Sequence, residues 1–252
     1  MIKSLKNKLA DKEISIGSWI TIGHPSVVEI MSTAGFDWLA IDIEHSSINI
    51  EKIRDLIITI KSCDIAALVR VGKNDDLIIK SVLDAGADGI IVPMVCSKED
   101  AEKAVSNVYY PPRGKRGVGL SRAQGYGIAF DKYKKWLQSE VVIIAQIEHK
   151  YGVKNLEDII SVEGIDSIII GPYDLSASLG IPGELNNPLL VDSINEIEKC
   201  CNKNDFPLGF HVIQTDHSLV NQKIQNNYKF IGFSLDFYFL GDMAPFQMQK
   251  NK

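Results

Sequence analysis

Four stretches of this 252-residue chain end a run of apolar, β-forming residues in side chains that bind metals or move protons. They are Ile41-Asp42-Ile43-Glu44-His45, Leu68-Val69-Arg70, Gln146-Ile147-Glu148 and Ile168-Ile169-Ile170-Gly171-Pro172-Tyr173-Asp174. An apolar run gains free energy by burial, whereas a charge at its end must find water, a partner or a metal. A lone carboxylate or histidine at a strand end is ordinarily a capping or ion-pairing residue. Several brought to one place are the equipment for acid–base chemistry or for holding a hard cation. The fold that gathers four strand ends is the parallel barrel, whose strand C-termini all open on one face.

The rest of the chain supplies that pattern. Strand-like runs are expected at 16–20, 38–42, 66–71, 89–92, 141–147, 167–170, 208–213 and 230–233. Helical spacing separates most of them, at 27–33, 50–62, 75–85, 98–107, 152–160, 188–203 and 219–226, with a last helix near 236–246. Ala34-Gly35-Phe36-Asp37 and Ala85-Gly86-Ala87-Asp88 read as helix stops, glycine supplying the C-cap before the next strand. Eight strands alternating with helices define an α/β fold, a (β/α)8 TIM barrel, and the length suits one such barrel. No linker or low-complexity tract divides the chain, so residues 1–252 are expected to form a single domain. Ile2, Leu5 and Leu9, at helical spacing, add a short amphipathic N-terminal helix.

Composition narrows the function. With 27 basic and 32 acidic residues the net charge is −5, which argues against a nucleic-acid or anionic-membrane surface. The basic start lacks the apolar stretch of a secretory signal, and no run approaches a membrane span, so the cytoplasm is expected. Four cysteines without a C-x-x-C pair read as reduced, structural thiols. A phosphate-binding P-loop and a Rossmann glycine fingerprint are both missing. The strand candidates from the fifth to the eighth contain no lysine, which disfavours Schiff-base chemistry. The longest irregular stretch, 109–127, carries Arg113, Lys115, Arg116 and Arg122 among glycines and is expected on or near the catalytic face.

Seven phrases, in order, resemble the HpcH/HpaI aldolase/citrate lyase family, and within it the metal-dependent pyruvate aldolases. They are Ala34-Gly-Phe-Asp-Trp-Leu-Ala-Ile-Asp-Ile-Glu-His45, Val69-Arg70, Leu83-Asp-Ala-Gly-Ala87, Val92-Pro-Met-Val95, Tyr110-Pro-Pro-Arg-Gly-Lys-Arg-Gly-Val-Gly119, Gln146-Ile-Glu148 and Ile170-Gly-Pro-Tyr-Asp-Leu-Ser176. The resemblance implies a class II aldolase that cleaves 4-hydroxy-2-oxo acids to pyruvate and an aldehyde. Glu148 and Asp174, expected at the ends of the fifth and sixth strands, would hold a divalent cation (Mg2+, Mn2+ or Co2+), a hard ion suited to two carboxylates plus water and a chelating oxo acid. In the family that ion stabilises the enolate formed when the carbon–carbon bond breaks.

By the same resemblance, Arg70 would lie beside the developing enolate oxygen, and Gln146 would touch the bound oxo acid together with Asp174 and the backbone of Tyr173. The Tyr173 side chain is bulkier than the residue usual there. His45 is implied as the base, with Asp84 orienting it from an adjoining subunit. Asp42 and Glu44 would support the turn and the metal's surroundings. Relatives associate through the terminal helix, here aromatic at Phe237, Tyr238, Phe239 and Phe246, so a homo-oligomer, a hexamer, is implied.

His211 departs from the aliphatic residue frequent in the seventh strand and is a candidate for the substrate pocket. His149 is expected to be structural, and His24, after the first strand, to face the mouth toward the aldehyde. The competing readings are an acyl-CoA or citrate-type lyase of the same family and a non-catalytic oxo-acid-binding barrel.

Overall fold

A computed structural model describes residues 3–249. The strand-like runs become β1 (Ser15–Ile20), β2 (Trp38–Asp42), β3 (Ala66–Arg70), β4 (Gly89–Val92), β5 (Val142–Ile147), β6 (Ser167–Ile170), β7 (Leu208–Val212) and β8 (Phe230–Leu235). All pairs are parallel, and β8 closes on β1, giving a barrel in chain order. Around it lie α1 (Leu5–Ala10), α2 (Pro25–Ser32), α3 (Ile50–Ser62), α4 (Asp76–Ala85), α5 (Lys98–Val108), α6 (Phe130–Ser139), α7 (Lys150–Lys154), α8 (Leu156–Ile160), α9 (Pro172–Ser178), α10 (Pro188–Lys203), α11 (His217–Gln225) and α12 (Asp236–Gln249). Among the described residues no helix is long and apolar enough to cross a membrane.

Alternation along each strand decides what fills the barrel. One parity packs outward under the helices. The other places Trp19, Trp38, Ala40, Leu68, Ile91, Val142, Ile144, Ile169 and Phe230 in an inner core, with Leu5 and Leu9 of α1 in the same cluster. Lys6 pairs with Asp166 and Lys8 with Asp37, both at 2.5 Å, which ties α1 to the residues just before β6 and β2. α1 therefore closes the N-terminal mouth. Trp38 stacks on Phe230, with ring centres 4.4 Å apart. A Cβ at Gly17 would come 2.0 Å from the Trp38 ring. Gly17→Ala should accordingly lower stability by about 1–3 kcal/mol, the usual cost of overpacking, read as a drop in the denaturant midpoint.

Carried to the strand C-termini, the inward parity reaches Asp42, Arg70, Gln146, Glu148 and His211. The outer helices differ from expectation in three places. The helix expected at 152–160 is two helices, because Asn155 ends α7 and begins α8 while its side chain donates to the Cys96 carbonyl at 2.8 Å. α6 and α9 were not expected. α6 buries Tyr133 and Leu137 on an otherwise polar helix, and α9 starts on Pro172, whose missing N–H costs nothing in a first turn.

The basic loop at 109–127 is not on the catalytic face. It follows α5 and leads toward β5, and a helix after a parallel strand runs back to the strands' N-terminal end. Its contacts agree. Arg122 donates to the Ala85 carbonyl at 2.8 Å, and Arg113 stacks on Tyr109 while reaching Glu163 at 3.6 Å. Arg116, buried, binds Asp84 at 2.5 Å and donates to the Tyr133 hydroxyl at 2.9 Å. These cations hold the underside together.

Candidate active site

Asp42 and Arg70 are the last residues of β2 and β3 and are partners in the register of the sheet. Both are buried. Arg70 donates through Nε to Asp42 Oδ1 at 2.9 Å and through Nη2 to Oδ2 at 2.6 Å, and its guanidinium lies over the Trp19 ring at 4.5 Å. This fork-to-fork geometry fixes the arginine. Asp42 Oδ1 also accepts from the backbone N–H of Glu44 and His45, at 3.0 and 3.2 Å, which shapes the turn after β2. Burial pushes the Asp42 carboxyl up, but the Arg70 hydrogen bonds and charge overcome it and hold the group below the ordinary range.

Glu148 follows β5 and is buried. Its Oε1 accepts from the Met94 N–H at 2.7 Å, Met94 having the left-handed φ of 53° that turns that N–H inward. Its Oε2 accepts from the Gln146 side chain. A Cβ at Gly171 would come 3.0 Å from Glu148 Oε2, so a side chain after β6 would press on that carboxylate. Asp174 lies in the first turn of α9, beyond the end of β6, and is exposed. Glu44 is half-buried, with Oε2 at 3.5 Å from Arg70 Nε and 3.8 Å from His45 Nε2 but without a hydrogen-bond partner.

These acids act on one another. Glu44 is pushed up to about 7, first by burial and then by the charge of Glu148, with Asp42 and Asp174 adding to it and Arg70 opposing. Glu148 is raised as well, by burial and then by Asp174, against the hydrogen bonds from Gln146 and Met94. Four carboxylates thus face one guanidinium, and one buried carboxylate oxygen is left unbonded. A hard divalent cation fits that imbalance. No group of three or more His, Cys, Asp or Glu side chains is poised as a metal cage among the described residues. An ion here would take protein ligands from Glu148 and Asp174 and the remainder from water and substrate.

The other expected residues divide. His45 sits on the turn after β2, more than half exposed. Asp84 lies near the C-terminal end of α4, on the underside with Arg116, so within one chain it does not approach His45. His211 points into the barrel against Trp19, ring centres 5.1 Å apart. Its Nε2 is buried without a partner, and burial followed by the Arg70 charge pushes its pKa down to about 3, so it is neutral. Tyr173 is exposed beside Asp174.

The model of the HpcH/HpaI aldolase/citrate lyase family matches residues 15–240. The chain belongs to that family. It is 36% identical over 237 residues to a hydroxypyruvate/pyruvate aldolase of Roseobacter denitrificans, covering 93% of this chain and 91% of the relative. It is 37% identical over 205 residues to a 5-keto-4-deoxy-D-glucarate aldolase of Escherichia coli, covering 81% and 80%. The crystal structure of an HpcH/HpaI family protein from Burkholderia cenocepacia superposes with a TM-score of 0.93 at 29% identity over 98% of both chains. With aldolases matching most of its length, this HpcH/HpaI chain is a carbon–carbon lyase.

Three features of this HpcH/HpaI barrel escaped the sequence reading. His24 and His149 are both helix N-caps, each Nδ1 accepting from the N–H two residues on at 3.2 Å. That gives His149 the structural place expected of it and gives His24 a cap at the mouth. Asp236, buried at the end of β8, accepts from the N–H of Thr21 and of Ile22 at 2.8 Å and from the Thr21 hydroxyl at 2.6 Å, pinning the turn after β1. An aspartate closing the last strand was the one available sign of it.

Proposed function

We propose that this chain reversibly cleaves a 4-hydroxy-2-oxo acid to pyruvate and an aldehyde as a class II aldolase, using Mg2+, Mn2+ or Co2+ held by Glu148 and Asp174. The observation that carries the reading is the group of acids with raised pKa, Glu44 and Glu148 with Asp174 beside them, around the single fixed Arg70. The bound ion would supply Lewis acidity toward the oxo acid's carbonyl. Arg70 Nε and Nη2 are taken by Asp42, while Nη1 makes no hydrogen bond among the described residues. The Nη1 N–H groups are free to face the oxygen on which charge develops. Gln146 gives one side-chain N–H to Glu148 and keeps the other for the oxygens of the oxo acid. Tyr173 would bind through its backbone and Asp174 through the ion. His211, uncharged, would line the pocket beside Arg70. His45 would take the hydroxyl proton through a water and later return one, its exposed imidazole being within reach of solvent. Incubating the purified protein with each divalent ion, pyruvate and a panel of aldehydes tests this. New 4-hydroxy-2-oxo acid is expected, and its absence across the panel would remove the assignment.

Glu44 gives the site a pH signature. Its folded pKa, about 7, lies above the ordinary 4.5, so the folded chain holds the extra proton between those values. Stability contributed there falls as pH rises through that window. In chelator, the thermal midpoint should drop between pH 5 and pH 8 more for the parent protein than for Glu44→Gln, and added Mg2+ should reverse the difference.

We further propose a homo-oligomer, a hexamer, in which Asp84 of one chain approaches His45 of another, working in the cytoplasm, where its four cysteines would stay as the free thiols seen here. Two exposed apolar regions support association. Val118, Leu120, Tyr126 and Ile128 crowd the loop that carries Arg116, and Phe237, Leu240, Met243 and Met248 stand out from α12. Phe239 instead packs on Phe233 of its own barrel, 5.3 Å between ring centres. Ile128→Asp, at a residue 96% exposed, should dissociate the assembly and lower turnover together. Sedimentation unchanged in that variant would exclude the loop from the interface.

A further inference from the structure

A cavity of about 190 Å3 lies between β7 and the helices α10 and α11, and His211, placed above beside Arg70, is among its lining residues. Its walls are apolar: Leu185, Leu190, Ile194, Phe210, Val212 and Leu219. Into this lining comes one cation. Lys223 Nζ rests 3.6 Å from the centre of the Phe210 ring and 4.7 Å from that of Tyr228. A lysine near a helix end ordinarily carries its ammonium out to water. Lys223 makes no ion pair or hydrogen bond among the described residues, and Glu198, the acid whose charge reaches it, is occupied by the Tyr228 hydroxyl at 2.6 Å. Burial pulls the Lys223 pKa down, as expected of a charge with too few partners. Two further polar groups flank the cavity, the side-chain amides of Gln214 and Gln222, and neither makes a hydrogen bond among the described residues.

We propose that this cavity binds a small monocarboxylate with a short apolar tail, its carboxylate on Lys223 and its tail against the leucine and isoleucine walls. The charge selects the head group. A single ammonium over two rings, with amides as the other donors, matches one carboxylate; a phosphate or a dianion would leave charge unmet in an apolar box. The volume limits the tail, since it falls below the roughly 300–1,000 Å3 of sites for drug-sized ligands. The ligand would also border the catalytic face, because Pro172 of the cavity immediately precedes Tyr173 and Asp174, and His211 itself lines the cavity. The inference is independent of the aldolase assignment.

Hexanoate and hexanol, titrated into the full chain with ligand-observed NMR, test it. Hexanoate should bind saturably, and hexanol should bind about tenfold more weakly, the worth of one hydrogen bond to a charged group. Lys223→Met should weaken hexanoate by a similar factor, and Leu190→Trp, which fills the cavity, should remove it. Arg70→Ala should leave hexanoate binding in place, which separates the cavity from the barrel mouth. Thermal midpoints check that each variant is folded, and Lys223→Met, an apolar replacement of similar shape, keeps the test open if Leu190→Trp is not. No saturable binding, undiminished binding in Lys223→Met, or loss in Arg70→Ala would each overturn the proposal.

Discussion

Replacing His45 by alanine should slow aldol cleavage by roughly 10^2–10^4-fold, the range for a general base, while metal affinity stays near that of the parent. The expectation follows from position. His45 stands on the turn after β2 with an exposed imidazole, and its contact with the acid group is Glu44 at 3.8 Å, not Glu148 or Asp174. Arg70→Ala should fail differently. The guanidinium is buried, doubly bonded to Asp42 and stacked on Trp19, so its charge is fixed before substrate arrives. A preorganised charge acts on the bound oxo acid and on the oxyanion that develops from it. Both the pyruvate KM and kcat should suffer. Full retention of pyruvate binding and turnover in Arg70→Ala would take that residue out of the mechanism. Equal losses of metal affinity and rate in His45→Ala would give the histidine a ligand's role in place of a base's.

Glu148→Ala and Asp174→Ala should each abolish tight metal binding and, with it, activity. Loss should exceed the roughly 10–100-fold in affinity that follows removal of an outer partner. The two carboxylates are unequal. Glu148 is buried, raised by its surroundings and oriented by Met94 and Gln146, so its alanine variant also leaves those two donors facing a void. Asp174 is exposed in the first turn of α9, and its removal should cost little stability. Calorimetric titration with Mn2+ reads the affinity, and thermal midpoints separate ligand loss from unfolding. Parent-like Mn2+ binding in either variant would move the ion elsewhere.

Much of this arrangement was legible in the order of residue types. Ile41-Asp42, Val69-Arg70 and Gln146-Ile147-Glu148 each join a β-branched run to a charge, and the strand period then dictates which side chains turn inward. Asp42 and Arg70 were readable as strand ends, but their register pairing depends on the closed barrel. The raised acids were not readable, because the charge of Asp174 reaches Glu148 and Glu44 only once β2, β5 and α9 meet. The glycines and arginines of 109–127 point to a catalytic-face loop, but the segment follows helix α5 and so belongs to the underside, where its cations serve packing. His24 and His149 were illegible as caps, since histidine is not among the residues that ordinarily begin helices. Lys223 carried no signal at all, being one lysine among many until Phe210 and Tyr228 fold beside it.

Exchange of the pyruvate methyl protons with deuterated solvent tests the central claim most directly, because it isolates enolate formation from the identity of the aldehyde. The protein stripped with a chelator should show no exchange above the uncatalysed rate, and Mg2+, Mn2+ or Co2+ should restore it in the parent chain but not in Glu148→Ala. Exchange that persists in chelator, or a covalent pyruvate adduct trapped by borohydride, would contradict a metal-dependent class II mechanism.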